Sequence, residues 1–273
     1  MKKDYKQRDT ASSGTTGECT WTITGEAGNY ALVIGGNGAM EDIDAPLGIP
    51  GQLFKNEIKT LVIQDGVTRI GSYAFSDCAG LTSVIIPGSV TEIGDRAFYG
   101  CRDLTSVVIP DSVVAIGSGA FRSCYKLASA VIPASVVAIG MYAFACCHGL
   151  ASARILGSIT AIDDAVFWNC RDLTSVVIPG SVKRIGERAF FACYKLPSIT
   201  IPASVTRIGR RAFAGCYKLT SVTNYSTVPQ EVNSVTFPSI KALSLRVPSE
   251  ALEAYKHSRT WRHFGNIASI DEE

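Results

Sequence analysis

Charge is scarce in this chain. Asp, Glu, Lys and Arg make up 18% of its 273 residues and nearly cancel, leaving a net charge of +2. Such a surface has no general attraction for nucleic acid or an anionic membrane. Histidine is scarcer still, with only His148, His257 and His263, little material for a metal centre or for imidazole acid–base chemistry. No apolar run approaches the ~18 residues of a membrane span, which excludes insertion as a helix. The basic opening from Met1 to Asp9 lacks the apolar stretch of a secretory signal. Either export does not use that route or a leading segment lies outside this chain. Phosphate loop, dinucleotide fingerprint and nucleophile elbow are all missing. The residues therefore argue against an enzyme and require no cofactor.

What is present is a repeat. Phenylalanine recurs every 23 residues at Phe75, Phe98, Phe121, Phe144, Phe167, Phe190 and Phe213, with a cysteine three residues after each, from Cys78 to Cys216. Fixed self-similarity at this period predicts a repeat solenoid of leucine-rich-repeat type, mainly β with short helical turns, wound as a right-handed stack of coils. Hydrophobic residues at 47% supply a continuous core.

One unit, Pro87 to Ile109, serves as the pattern. Leu104–Ile109 reads as a strand with Val107 and Ile109 inward and Val108 outward. The proline after it removes a ladder donor and ends the strand. A turn follows with serine at 89, 112, 135, 158, 181 and 204, whose hydroxyls suit turn backbone groups. A second short strand then ends in Ile-Gly. The glycine column (Gly71, Gly94, Gly117, Gly140, Gly186, Gly209) predicts positive φ, and Asp163, its one exception, is a residue type that tolerates it. The last side, Asp95–Cys101, reads as a single helical turn with Phe and Cys inward. Equivalent cysteines on adjacent coils lie within disulfide reach, but their Cβ vectors run parallel and seven cannot pair completely. Buried reduced thiols are expected.

Four segments result: a flexible polar stretch over 1–17, an N-terminal β cap over 18–57, the solenoid over 58–222, and a C-terminal cap with a short helix over 223–273. In the first cap Cys19–Ile23 and Tyr30–Ile34 are strand-like, joined by a turn through Gly25, Gly28 and Asn29. In the last, Ser249 reads as the N-cap of a helix carrying Leu252 and Tyr255, with Trp261, Phe264, Ile267 and Ile270 closing the end.

The unit Ile-Pro-x-Ser-Val-x-x-Ile-Gly-x-x-Ala-Phe-x-x-Cys-x-x-Leu-x-Ser-Val, as in Ile86–Val107, resembles the BspA-like leucine-rich repeat family over roughly 58–222. The flanks are similar too: Thr20-Trp21-Thr22-Ile23 with Gly36-Asn37-Gly38-Ala39-Met40 to its N-terminal cap, and Val247-Pro248 through Trp261 and Phe264 to a C-terminal ending found in gut and oral bacteria. The resemblance implies a surface or secreted bacterial protein. Better-studied members bind host extracellular-matrix proteins or other cells. The family has no shared catalytic residues to carry over.

Chemistry-bearing clusters are few. Cys146-Cys147-His148 invites a metal or thiol reading, yet Cys147 belongs to the buried column. Asp163-Asp164 suggests paired carboxylates, yet Asp163 stands in the glycine column. Binding is better served, because stacking puts equivalent exposed residues into files. The outward file of the first strand is Ile85, Val108, Val131, Arg154, Val177 and Thr200. A basic group follows in the later coils: Lys183, Arg184, Arg188, Arg207, Arg210 and Arg211, suited to acidic proteins or sulfated glycans. Aromatics vary after the phenylalanine, as Tyr99, Trp168 and Phe191, and after the cysteine, as Tyr125, Tyr194 and Tyr217. A protein partner is the leading expectation. A structural spacer or self-assembly module with flat faces, and a glycan-binding module using the basic C-terminal coils, are the alternatives. Aromatics are not interleaved with the basic residues as nucleic-acid stacking requires.

Overall fold

The computed structural model describes residues 12–43 and 56–271. Residues 1–11 of the expected polar stretch and 44–55 of the expected N-terminal cap lie outside the described residues. A typical coil has three sides: a strand of three or four residues, a two-residue strand, and a turn side without regular secondary structure.

An antiparallel pair, Cys19–Glu26 and Asn29–Gly36, opens the stack and passes its sheet on in parallel to Ile58–Ile63. Ser12–Thr16, read from sequence as part of a polar tether, is instead a strand antiparallel to Cys19–Glu26. The first-side strands then follow in strict register: Ser129, Ser152 and Ser175 are partners, as are Ser198, Ser221, Ser244 and Asn266. The last two strands, Ser244–Val247 and Asn266–Ser269, carry the same ladder through the segment expected as a cap.

The first-side sheet is interrupted twice. No strand forms over Leu104–Ile109, contrary to expectation; this coil is tied to its neighbours through Thr105, whose N–H donates to the Thr82 carbonyl while its own carbonyl accepts from Ala128. Val107 is only partly buried there, so the inward pull that would flatten the segment is weak. The second interruption has a covalent cause. At each coil one N–H of this column donates backwards, as Ala151 does to Ala128 and Thr174 to Ala151, but the next residue is Pro197, which has no N–H for the Thr174 carbonyl.

The glycine column corrects its sequence reading. None of Gly71, Gly94, Gly117, Gly140, Gly186 or Gly209 has positive φ. They are glycine because the coils touch: a Cβ on Gly94, Gly117, Gly140 or Gly209 would lie 2.5–2.6 Å from a backbone nitrogen of the preceding coil, where Cβ atoms do not fit. The N–H groups of Gly94, Gly117, Gly140, Gly186 and Gly209 bond backwards, Gly140 to the Ile116 carbonyl at 2.8 Å. Asp163 carries the Cβ that the column excludes. Its N–H makes no such bond to Ile139, nor does Thr160 to Val137, and the second-side sheet splits between Ala138–Ile139 and Ala161–Ile162.

Left-handed backbone lies elsewhere, in two columns on the turn side. One is Tyr73, Arg96, Gly119, Tyr142, Ala165, Arg188 and Arg211; the other is Asp77, Gly100, Ser123, Cys146, Asn169, Ala192 and Gly215. Two left-handed residues four apart cannot continue a right-handed helix, which is why the expected helical turn is absent. Alternate N–H groups bond instead to the next coil, Phe98 to the Ala120 carbonyl and Phe121 to Ala143, both at 2.8 Å. Three such bonds leave each coil from Tyr73 to Ala192, all in one direction.

Inside the turn side the phenylalanines stack. Centroids from Phe75 to Phe213 are 5.2–5.4 Å apart, except 5.7 Å between Phe144 and Phe167 at the Asp163 coil. Phe237 extends the stack by 5.2 Å, and Trp261 and Phe264 pack onto it. The seven column cysteines are buried and none is in a disulfide among the described residues. Six of them, Cys101 to Cys216, donate to the phenylalanine carbonyl of the preceding coil, at 3.2 Å from Cys101 to Phe75. Ser89, Ser112, Ser181 and Ser204 of the serine column also reach backwards, not into their own turns: Ser112 Oγ donates to the Val90 carbonyl at 2.6 Å and Ser204 Oγ to Val182 at 2.7 Å, whereas Ser135 Oγ is buried without a partner.

At the far end the helix is Leu252–His257, and its N-cap is Ala251. Ser249, expected to cap it, opens a 3₁₀ turn (Ser249–Ala251) ahead of the helix. Buried Tyr255 donates its hydroxyl to the Ser226 carbonyl, and Trp261 Nε1 donates to Gln230 at 2.7 Å.

Candidate functional site

The first-side file stands out from the surface. Ile85, Val108, Val131 and Val177 are exposed, Val108 at 78%, and so are Arg154 and Thr200. Val131, Arg154 and Val177 sit side by side in the ladder, so the guanidinium interrupts an apolar row. Around the next corner Val114 and Val137 add exposed apolar surface. A contiguous apolar strip is uncommon where nothing binds.

The basic group is less uniform than the sequence implies. Arg184 lies between Asp163 and Asp164, bonded to both carboxylates, and Arg188 pairs with Glu187 at 3.4 Å. Lys183, Arg207 and Arg210 are exposed and Arg211 is half-buried; among the described residues none of these four has an acidic partner within ion-pair distance. The unpaired members of this basic group therefore lie on the last solenoid coils.

The aromatics fall into two files. After the phenylalanine come Tyr99, Arg122, Ala145, Trp168 and Phe191, with Tyr99, Trp168 and Phe191 half-buried. After the cysteine come Arg102, Tyr125, His148, Arg171, Tyr194 and Tyr217, where Arg102 lies over Tyr125 at 5.8 Å, Tyr125 stacks on His148 at 4.7 Å, and Tyr194 on Tyr217 at 5.5 Å. His148 is a member of this stack. Burial, reinforced by the Arg171 charge, pushes its imidazole pKa down. Asn169 Nδ2 stands between the Cys146 thiol and His148 Nε2, at 3.7 and 3.2 Å. An amide in that place separates thiol from imidazole and is not arranged to activate it. His257 lies on the exposed side of the short helix, its Nδ1 2.8 Å from the Glu253 carbonyl. Among the described residues no cluster of three or more His, Cys, Asp or Glu is placed to hold a metal.

Sequence reasoning overlooked a small cavity of about 310 Å³ on the turn side, lined by Arg122, Tyr142, Ala165, Trp168, Arg188 and Phe191. Three of these residues were singled out from sequence, but nothing there showed that they converge. A larger cleft of about 640 Å³ runs between 229–234 and Ser258–His263 near the C-terminal helix.

In-register coils, a phenylalanine stack and strand-turn-turn units define a repeat scaffold of leucine-rich type. The BspA type leucine-rich repeat region matches in six copies over residues 49–174 and 161–258, and the chain belongs to that family. Solved structures agree on the fold. The leucine-rich repeat protein of T. pallidum is 24% identical with a TM-score of 0.50, over 76% of this chain and 90% of that one. A leucine-rich repeat protein from Bacteroides ovatus is 22% identical with a TM-score of 0.53, over 93% of this chain and 76% of that one. No curated protein sequence matches the chain. The fold is typically a non-enzymatic scaffold. Among the described residues no helix is long and apolar enough to cross a membrane.

Proposed function

We propose that this chain is a non-enzymatic adhesion module of a bacterial surface or secreted protein, which binds a host matrix or cell-surface protein through its exposed files. The observation that carries the reading is the aligned apolar row of Ile85, Val108, Val131 and Val177, broken by Arg154. Exposed apolar side chains around an exposed guanidinium are the makings of a protein contact, with desolvation on binding giving affinity and the guanidinium giving register. The unpaired Lys183, Arg207, Arg210 and Arg211 add electrostatic steering toward an acidic partner. Membership of a repeat family typical of bacterial surface proteins supports the location.

The test is capture on immobilised extracellular-matrix proteins. Val108→Glu with Val131→Glu should abolish capture and leave thermal unfolding nearly unchanged, because both side chains are already in water. Reversal of charge at Arg207, Arg210 and Arg211 should slow association, most of all at low salt. Parental capture by both variants would rule out both faces. The same strip could instead pack on a second copy; light scattering that rises in mass with concentration, and loses the rise in the Val108/Val131 variant, would favour a self-assembly module.

A further inference from the structure

The cavity on the turn side has a small residue, Ala165, in its wall, in a coil stack where two files carry an alanine among larger side chains. In the file after the phenylalanine, Ala145 stands between Arg122 and Trp168. In the left-handed file, Ala165 stands between Tyr142 and Arg188. Both alanines are buried, and Ala165 lines the hollow. The hollow is therefore built into a periodic surface at one place, walled by Tyr142, Trp168 and Phe191 and flanked by two guanidinium groups. Its volume of about 310 Å³ is at the lower end of small-molecule sites, roughly 300–1,000 Å³, and suits a single ring-sized group.

Arg122 is held for a purpose other than ion pairing within the chain. Its guanidinium lies 5.2 Å from the ring centroid of Tyr142 and 6.0 Å from that of Tyr99. No acidic side chain pairs with it among the described residues, and its Nε is buried without a hydrogen-bond acceptor. That nitrogen is closed to solvent, but Arg122 lines the hollow, and the terminal N–H groups of a guanidinium offer a planar oxyanion a two-point contact. Arg188 lines the same hollow and is offset by Glu187, 3.4 Å away. Two arginines and one glutamate leave a single net positive charge, which matches a carboxylate better than a dianionic phosphate.

We infer that this hollow binds a carboxylated sugar ring, a uronic or sialic acid residue of a glycan, with its carboxylate on Arg122 and its apolar C–H face against Trp168. A pyranose ring offers such a face, and the flat indole covers it without requiring a donor or acceptor at each position. This site is on a different side from the strand file of the proposed protein contact and stands or falls separately.

Trp168 reports on its own site, because the other two tryptophans, Trp21 and Trp261, are buried in the two ends of the stack. Titration of the whole chain with trigalacturonate or sialyllactose at millimolar concentration should shift tryptophan emission with at least one of them, and which one distinguishes uronic from sialic acid. Lactose, acetate and inorganic phosphate should not shift it. Arg122→Gln should weaken the response roughly tenfold or more. Ala165→Tyr should abolish it by filling the hollow with the residue that the same file carries at 73 and 142, a backbone position where tyrosine already fits. Should Ala165→Tyr melt early, Arg122→Gln decides. The assignment is overturned by silence from both acid sugars, by an equal shift with lactose, acetate or phosphate, or by parental binding in Arg122→Gln. Val108→Glu with Val131→Glu should leave the emission response intact even where it abolishes protein capture.

Discussion

Two neighbouring coils, one with Gly140 and the next with Asp163, differ at the point where coils press closest. At Gly140 the backbone bonds back to Ile116 and the second-side sheet is continuous; at Asp163 that bond and the one at Thr160 are missing and the sheet splits. Yet the split coil keeps its other two sides. Tyr142, Phe144 and Cys146 still donate to Asp164, Val166 and Trp168, and the strands at 129–132, 152–155 and 175–177 remain one sheet. The stack therefore does not depend on any one side, and the turn side is the most continuous of the three. The cost at Asp163 shows as the widest step in the phenylalanine stack. The carboxylate is put to use by taking Arg184 as a partner.

The largest way to break the comparison is to remove a ring. Phe121→Ala, in the tight part of the stack, should cost about 3–5 kcal/mol in urea unfolding. Phe167→Ala, beside the loosened joint, should fall at the low end of that span. Equal losses would mean that the 5.7 Å step carries no energetic signature.

High pH should come next. Burial pushes the thiols of Cys124, Cys170 and Cys193 well above their ordinary 9.0, with neighbouring cysteines adding to the effect. A raised pKa gives stability that is fully present below 9.0 and is lost as pH rises, because the unfolded chain releases protons that the folded chain keeps. Each thiol contributes a slope of about 1.4 kcal/mol per pH unit, so the three together give about 4. Unfolding midpoints measured from pH 8 to 10 under reducing conditions should fall accordingly, and Cys124→Ala should flatten the slope.

A direct exchange of the two coils is a sharper test. Gly140→Asp should open a second split at a cost of about 1–3 kcal/mol, with the residue-140 amide losing its protection from hydrogen exchange. Asp163→Gly should gain protection at 163. An unprotected amide in Asp163→Gly would mean that something other than the Cβ holds the coils apart.

The smallest effect belongs to the N-terminal end. The Arg69 guanidinium, then the Ser72 N–H, hold the Asp42 carboxyl down at about 2. A depressed carboxylate stabilises above its ordinary 3.8 and stops doing so as pH falls through about 2. Because Asp42 is largely exposed, the change should be slight. Asp42→Asn should erase it from an acid titration of the unfolding midpoint.

The coil period, the inward Phe and Cys columns and the exposed first-side file were legible because burial repeats with the sequence. The glycine column was legible as a constraint but read for the wrong reason, since a residue without Cβ serves close approach and positive φ alike. The true left-handed file was hidden because Tyr73, Arg96, Tyr142, Arg188 and Arg211 do not advertise that backbone. The other one had left a signal in Asp77, Gly100, Asn169 and Gly215. The cavity could not be read at all: Ala165 is unremarkable until the coils stack and set it beside Tyr142, Trp168 and Phe191.

The unidirectional bonds of the turn side have an electrical consequence. Peptide groups there point their hydrogens from each coil toward the next, so their moments add along the axis where those of ordinary sheets largely cancel. The turn side is polarised lengthwise, positive toward its C-terminal end, against the backward-pointing bonds of the other two sides, and the unpaired arginines on the last coils put net positive charge at that same end. An acidic partner approaching from a distance would be turned toward that end before any side chain touched it.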